Sequence, residues 1–174
     1  MGQPDRLMLQ ETPPVPDLLA QLEAFAAAVA RAVAHPETDW QWRPAPAEWS
    51  LTELFCHLRD VEREVHQPRF RSLMASDNAF IPGATADDWV VTREYVRQNG
   101  RLALQDFLSA RQDTVAMLAA LPAEYWQRQG RHAFFGPTSA HELLNLAVNH
   151  DQAHWEQLQK LLKKEMIGSE AKGS

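Results

Sequence analysis

A four-helix bundle of the all-α class is the fold this sequence predicts, on two observations. Ala and Leu number 25 and 20 among 174 residues, against 10 Val and 2 Ile, so strong helix formers dominate and the β-branched strand formers are scarce. Apolar residues also recur at spacings of three and four in four separate stretches, the period of a helix with one buried face. A β-sandwich and a βαβ enzyme are excluded, and negligible sheet is expected. With 45% hydrophobic and 23% charged residues, the chain has the composition of one globular domain long enough to bury a core. It holds no internal repeat and no low-complexity tract.

The elements follow in order. Pro13, Pro14 and Pro16 predict an extended N-terminal segment over 1–16, with Asp17 placed to cap what comes next. Leu18, Leu22, Phe25, Val29 and Val33 give the first helix its face, and His35–Pro36 ends it. A loop dense in Pro and Trp spans 36–49. Ser50 with Glu53 reads as a capping box, and Leu54, Leu58, Val61 and Val65 continue the second helix until Pro68 kinks or ends it. A polar connection over 76–88 leads to a third helical stretch, Trp89 to Leu121, with an interruption near Asn99–Gly100. An aromatic loop, Tyr125 to Pro137, follows. Ser139 and Glu142 form a second capping box for the fourth helix, through Leu143, Ala147, Leu158 and Leu161. Lys160, Lys163 and Lys164 read as its last turn, the right sign for a helix C-terminus. The domain is thus expected over 17–165, with a flexible tail over 166–174. The long link between the second and third helices permits a crossover joining parallel neighbours.

Charge and cysteine usage narrow the partners. The net charge is −6 with only four Lys, so no cationic stripe is available to displace counterions from nucleic acid or to meet an anionic membrane. The longest apolar runs, Ala24–Ala30 and Val115–Leu121, are seven residues each, where a membrane span needs roughly 20. Met1 to Asp17 carries four prolines and no apolar run, unlike a signal peptide. The lone Cys56 forms no internal disulfide, which fits a reducing compartment. A cytoplasmic protein acting on a small molecule, with no nucleic-acid or membrane partner, is expected.

The chemistry lies in the histidines. His150 and His154 are four residues apart on one helix and point the same way, as a chelate requires. Both fall on the stripe 143, 147, 150, 154, 158, 161, where core residues belong. His57 follows Leu54 by three and precedes Val61 by four, so it also faces inward. Three imidazoles aimed at one core each bury a polar ring that needs a partner. A divalent metal is one answer; histidines bonded to each other, to carboxylates or to water are the other. Heights support convergence: His57 lies about 10 Å down its helix and His154 about 15 Å from the far end of its own, depths that nearly agree if the two helices run antiparallel.

Lesser candidates accompany them. Asp60 and Asp151, beside His57 and His150, are candidates to orient an imidazole or act as a base, or are surface carboxylates. Arg111 falls on the stripe 104, 108, 111, 115, 118, to meet an anionic substrate or to sit in a buried ion pair. His132, in the loop before the last helix, and Trp155, beside His154, are substrate-binding candidates. Cys56 reads as packing. His66, nine residues after His57, is half a turn out of phase and points elsewhere.

The stretch Trp49-Ser50-Leu51-Thr52-Glu53-Leu54-Phe55-Cys56-His57-Leu58 resembles the start of the second helix in DinB-like (damage-inducible) four-helix bundles. Asn149-His150-Asp151-Gln152-Ala153-His154 resembles their last helix. Phe107 to Arg111 with Leu118, then Trp126 through His132 to Gly136, follow the same pattern, so the likeness spans roughly residues 17–162. It implies up-down-down-up helix order and a divalent metal, nickel or zinc, held by His57, His150 and His154. His132 matches a family position. Homodimers are common among such bundles. Relatives include enzymes that use a low-molecular-weight thiol, maleylpyruvate isomerase with mycothiol and transferases with bacillithiol, so a thiol is the implied co-substrate and S-transfer to an electrophile the implied reaction. Three neutral ligands leave a position open for water or thiol, whose pKa would fall toward neutrality; hydrolysis is equally allowed. The alternative is a non-catalytic stress-response binding protein with a structural or vestigial metal site, although a structural zinc site closes with four protein ligands. DNA binding is opposed by the charge.

Overall fold

The computed structural model describes residues 12–170, with side chains as far as residue 163. Residues 1–11 of the expected N-terminal segment and 171–174 of the expected tail lie outside them. Helix α1 (Val15–Ala32) buries Leu18, Leu22, Phe25 and Val29. It opens before Asp17, because Pro16 needs no N–H donor in the first turn; Asp17 lies inside that turn, where its charge suits the helix dipole.

Helix α2 (Leu51–Val61) begins at the expected capping box, with the Ser50 N–H donating to Glu53 at 2.8 Å. It does not end at Pro68. A π-helical turn over Glu62–His66 joins it to α3 (Gln67–Ala75), so one helical path runs through the proline. Pro68 cannot donate to the carbonyl of Glu64 and its ring crowds that carbonyl, and a widened turn just before it relieves both problems.

The crossover is richer than a polar loop. It contains strand β1 (Phe80–Ile81), a 3₁₀ turn at Ala86–Asp88, the short helix α4 (Trp89–Thr92) and a further 3₁₀ turn at Tyr95–Arg97. Glu94, at φ 47°, breaks the path between the last two, so the third stretch is not one helix from Trp89. The Asn99 side chain caps α5 (Gly100–Ala119), accepting the Leu102 N–H at 3.0 Å. Gly100 lets α5 touch α2: a Cβ there would stand 2.6 Å from Thr52 Oγ1.

The expectation of negligible sheet needs correction. Strands β2 (Gln129–His132) and β3 (Gly136–Ser139) pair antiparallel, and β1 adds to β2 in parallel, Ile81 opposite His132. The sheet covers the segment read as an aromatic loop, whose residues carry no apolar alternation. Ser139 and Glu142 form the second capping box of α6 (Ala140–Glu170), the Ser139 N–H donating at 2.7 Å. This helix continues past the expected boundary at 165, so Lys160 and Lys163 stand within it and not in its last turn.

α2 packs on α5, α1 on both α5 and α6, and α3 on α6. The core forms two apolar clusters. One gathers Leu22, Phe70, Leu118 and Leu144; the other Phe25, Leu58, Phe107 and Leu158. Between the two clusters α2–α3, α5 and α6 carry buried polar side chains, Glu62, His66, Arg111 and Asp151. Among the described residues, no helix is long and apolar enough to cross a membrane.

Candidate metal centre

The polar layer holds two groups of side chains. In the first, Arg111 reaches from α5 into the middle of the bundle and is 2% exposed. Its guanidinium donates two bonds to Asp151, the longer 3.0 Å, one to Glu62 at 2.8 Å and one to the Leu22 carbonyl at 3.3 Å. Only Arg111 Nε and Glu62 Oε1 are left without a bond. Burial raises the Asp151 carboxyl to about 6 even against Arg111. For Glu62 burial pulls the same way, but Arg111 and His66 outweigh it and hold the carboxyl below its usual range.

The second group is the histidine cluster. His57 from α2 and His150 and His154 from α6 turn their Nε2 atoms toward one another, 3.3 Å between His57 and His150 and 3.1 Å between His150 and His154. One ligand nitrogen from each lies within 4.8 Å of the others. His154 Nδ1 contacts Gln157 Oε1 at 2.9 Å. Because that oxygen only accepts, Nδ1 carries the proton and Nε2 presents a lone pair to the centre. The Nδ1 atoms of His57 and His150 are buried without a hydrogen bond. A ring nitrogen carries either a proton or an in-plane lone pair, so His150 Nε2 pairs with one neighbour at most: protonated, it donates to one and leaves the other without a partner; unprotonated, its lone pair faces that of His154. A cation between the three rings resolves that conflict, and the donor set suits nickel or zinc.

Burial drives all three rings to the neutral form that metal binding needs. His57 falls to about 3, by desolvation first and then by His154. His150 lies well below its ordinary value, by burial and the neighbouring imidazoles. His154 is lowered by burial, with Gln157 opposing.

The other expected residues are dispersed. Asp60 faces the crossover, bonded to Arg59 Nε at 2.6 Å, the Tyr95 hydroxyl at 2.7 Å and Arg93 at 2.9 Å; it ties Tyr95 and Arg93 onto α2 and touches no imidazole nitrogen. Asp151 follows His150 by about 100° of helix and therefore meets Arg111 instead of the cluster. Trp155 is displaced from His154 in the same way and lines a groove beside Phe25 and Ala28 of α1, so it does not wall the histidine cleft. Trp49 instead packs on the cluster itself, stacked on His154 at 6.1 Å and tilted against His57 at 5.0 Å; its place just before the Ser50 cap was the available signal. Cys56 is buried and pushed up to about 11 by desolvation, which fits packing.

His66 was misplaced by the regular-helix count. Nine residues of α-helix set it opposite His57, but the π turn absorbs an extra residue and rotates it by about 100°. Its ring lies 5.3 Å from that of His150, edge to face, and it lines the same cleft.

That cleft, about 290 Å³, opens from His57 and His150 toward β2. Val61, Val65, Leu146, Phe134 and Phe135 give it apolar walls, and Asp87 lies on its lining. His132 is in strand β2, not in a loop, and reaches the cleft as well. Phe134 packs over Gly83 of the crossover, where a Cβ would stand 2.3 Å from the ring.

A family model described as the DinB superfamily matches residues 18–158. Among solved structures, YfiT from Bacillus subtilis aligns with a TM-score of 0.76 at 16% identity, covering 90% of this chain and 91% of YfiT. YfiT is described as a probable metal-dependent hydrolase with an unusual four-helix bundle topology; at this identity the likeness speaks to the fold. Comparison with curated proteins gave no match.

Proposed function

The chain belongs to the DinB superfamily, and from that premise we propose that it is a divalent-metal-dependent enzyme that transfers a low-molecular-weight thiol to a small electrophile. The convergence of three Nε2 atoms, with the His154 tautomer set by Gln157, is the observation that carries the reading. Nickel or zinc held by His57, His150 and His154 would supply the charge that lowers the pKa of a bound water or thiol toward neutrality. The residues around the site favour the thiol. Asp60 and Asp151 are committed to arginines and give no free base at the histidines. A thiol, with a pKa of about 8.5, needs far less help to ionise than water at about 15.7. The apolar walls Val61, Val65 and Leu146 suit the organic body of a small electrophile.

A second reading, hydrolysis, is favoured by Asp87, which lines the cleft and whose charge acts on His154, and by the description of YfiT. The experiment compares protein loaded with nickel or zinc against metal-free protein in two assays: cysteine with monochlorobimane, and hydrolysis of p-nitrophenyl acetate. Metal-dependent bimane conjugation alone supports thiol transfer. Metal-dependent ester hydrolysis lost in Asp87→Asn supports the second reading. Neither activity supports the non-catalytic binding protein.

The fold carries further parts of the proposal. α1 and α6 pass from the Leu22 cluster to the Phe25 cluster along their sequence, whereas α2–α3 and α5 pass the other way, which supports up-down-down-up order. We further place the protein in the cytoplasm as a homodimer that binds no nucleic acid, testable by scattering mass and by duplex DNA titration at physiological salt.

A further inference from the structure

The far end of the histidine cleft carries polar groups that the proposed metal chemistry leaves unused. Arg69, on α3, is half-buried and lines the cleft. Its Nε is enclosed without a hydrogen bond, and its guanidinium makes only a long 3.5 Å contact to the Pro82 carbonyl. Among the described residues it forms no salt bridge, whereas the similarly half-buried Arg59 and the fully buried Arg111 both do. A half-buried guanidinium with an enclosed, unbonded Nε and no carboxylate partner is set to receive an anion.

His132 stands beside it in the same cleft, 3% exposed. Its Nδ1 accepts the Phe134 N–H at 3.1 Å. The neutral ring therefore holds its proton on Nε2, and that N–H is buried with no acceptor. Arg69 and His132 line the same cleft, and His132 is lowered by burial first and then by the Arg69 charge. The negative Asp87 bears on His154, at the other end. The cleft is thus polarised: lone pairs at the histidine cluster, apolar walls between, and an unpaired guanidinium with an unpaired N–H donor beyond.

We propose that Arg69 and His132 form an oxyanion subsite that grips the carboxylate, or an equivalent oxyanion, of a small organic substrate, leaving its apolar body along Val61, Val65 and Leu146 and its other end at His57 and His150. The guanidinium supplies a paired-donor edge matched to a carboxylate, and His132 adds one neutral donor. A cleft of about 290 Å³ is at the small end of ligand sites, which limits the occupant to a compact molecule. The subsite deepens the enzymatic reading given above and rests on it only for which end reacts; the anion grip itself needs no metal.

The test uses 3-phenylpropionate and its uncharged amide, 3-phenylpropionamide, titrated calorimetrically into metal-free and zinc-loaded protein, with zinc stoichiometry measured in parallel. Metal-free wild type is expected to bind the carboxylate at least about tenfold more tightly than the amide. Arg69→Met abolishes that preference without changing zinc stoichiometry, Arg69→Lys keeps part of it, and His132→Leu reduces it. Should Arg69→Met fail to fold, the Lys variant and His132→Leu carry the test. Equal binding of acid and amide by metal-free wild type, or a preference untouched in the Arg69 and His132 variants, overturns the subsite. A preference seen only with zinc also overturns it, by assigning the carboxylate to the metal, and leaves the metal reading standing. A preference that depends on Arg69 in a protein that binds no zinc keeps the subsite and removes the metal reading.

Discussion

Around Arg111 the buried charges meet their opposites, whereas around His150 three ring nitrogens face one another. Both groups lie inside the bundle, the ionic one buried throughout, the histidines buried at His57 and half-buried at His150 and His154. The Glu62–Arg111–Asp151 group closes on itself with charge-assisted bonds, so its role is to join α2, α5 and α6. The histidine group brings three nitrogens together with too few protons to satisfy them. A buried network whose charges are paired reads as structure; facing ring nitrogens that cannot all be paired read as a site for a cation.

The difference is open to direct attack. Arg111→Ala strands two buried carboxylates and should cost about 3–5 kcal/mol, seen as a fall in melting temperature of roughly 2–4 °C per kcal/mol for a chain this size. A fall within 2 °C would place the ionic group among dispensable contacts. Ala at His57, His150 or His154 should act oppositely. Metal affinity should drop by more than the roughly 100-fold that losing an outlying partner costs, while the melting temperature of metal-free protein changes little or rises, because an unsatisfied polar ring is removed. Gln157→Ala should weaken metal binding by about 10–100-fold at unchanged stability, since only the His154 tautomer is released.

The smallest effect is a pH dependence. His57 and His66 titrate near 3 and 4 in the folded chain, against an ordinary 6.5. Below about 6.5 the unfolded chain takes up protons that these rings refuse, so metal-free protein loses stability as pH falls from 6.5 toward 4. Asp151, raised to about 6, opposes this: its contribution is present at low pH and lost as pH rises through 6. The histidines outnumber it, so denaturation midpoints should fall with acidification, and His66→Leu should shallow the slope while sparing metal stoichiometry. A slope unchanged in that variant would contradict the burial assigned to His66.

These contrasts also mark what was legible in the sequence. Helix faces and both capping boxes could be read because period and cap chemistry are local, and His57, His150 and His154 stood out as polar residues on apolar stripes. His66 could not be placed, because a single π turn before Pro68 changes the phase of everything after it. The sheet left no trace: β2 reads Gln-Gly-Arg-His and β3 Gly-Pro-Thr-Ser, short strands held by backbone pairing and not by an apolar face. Asp60 and Trp155 looked apt beside their histidines in the sequence, but one step around a helix, or a partner 35 residues away in Tyr95, decides where such side chains act. Arg69 gave no signal, since what distinguishes it is the missing acid, which only the packed structure reveals.

The histidine cluster is expected to hold one divalent ion. Elemental analysis of untagged protein, supplied with nickel or zinc and dialysed, tests it most directly when wild type is run beside the three single His→Ala variants and His35→Ala. The expected result is one nickel or zinc ion per chain in wild type and His35→Ala, and loss of the ion in each variant of His57, His150 and His154. Wild type that retains no metal, or full stoichiometry in all three cluster variants, would show that these histidines are not a metal site.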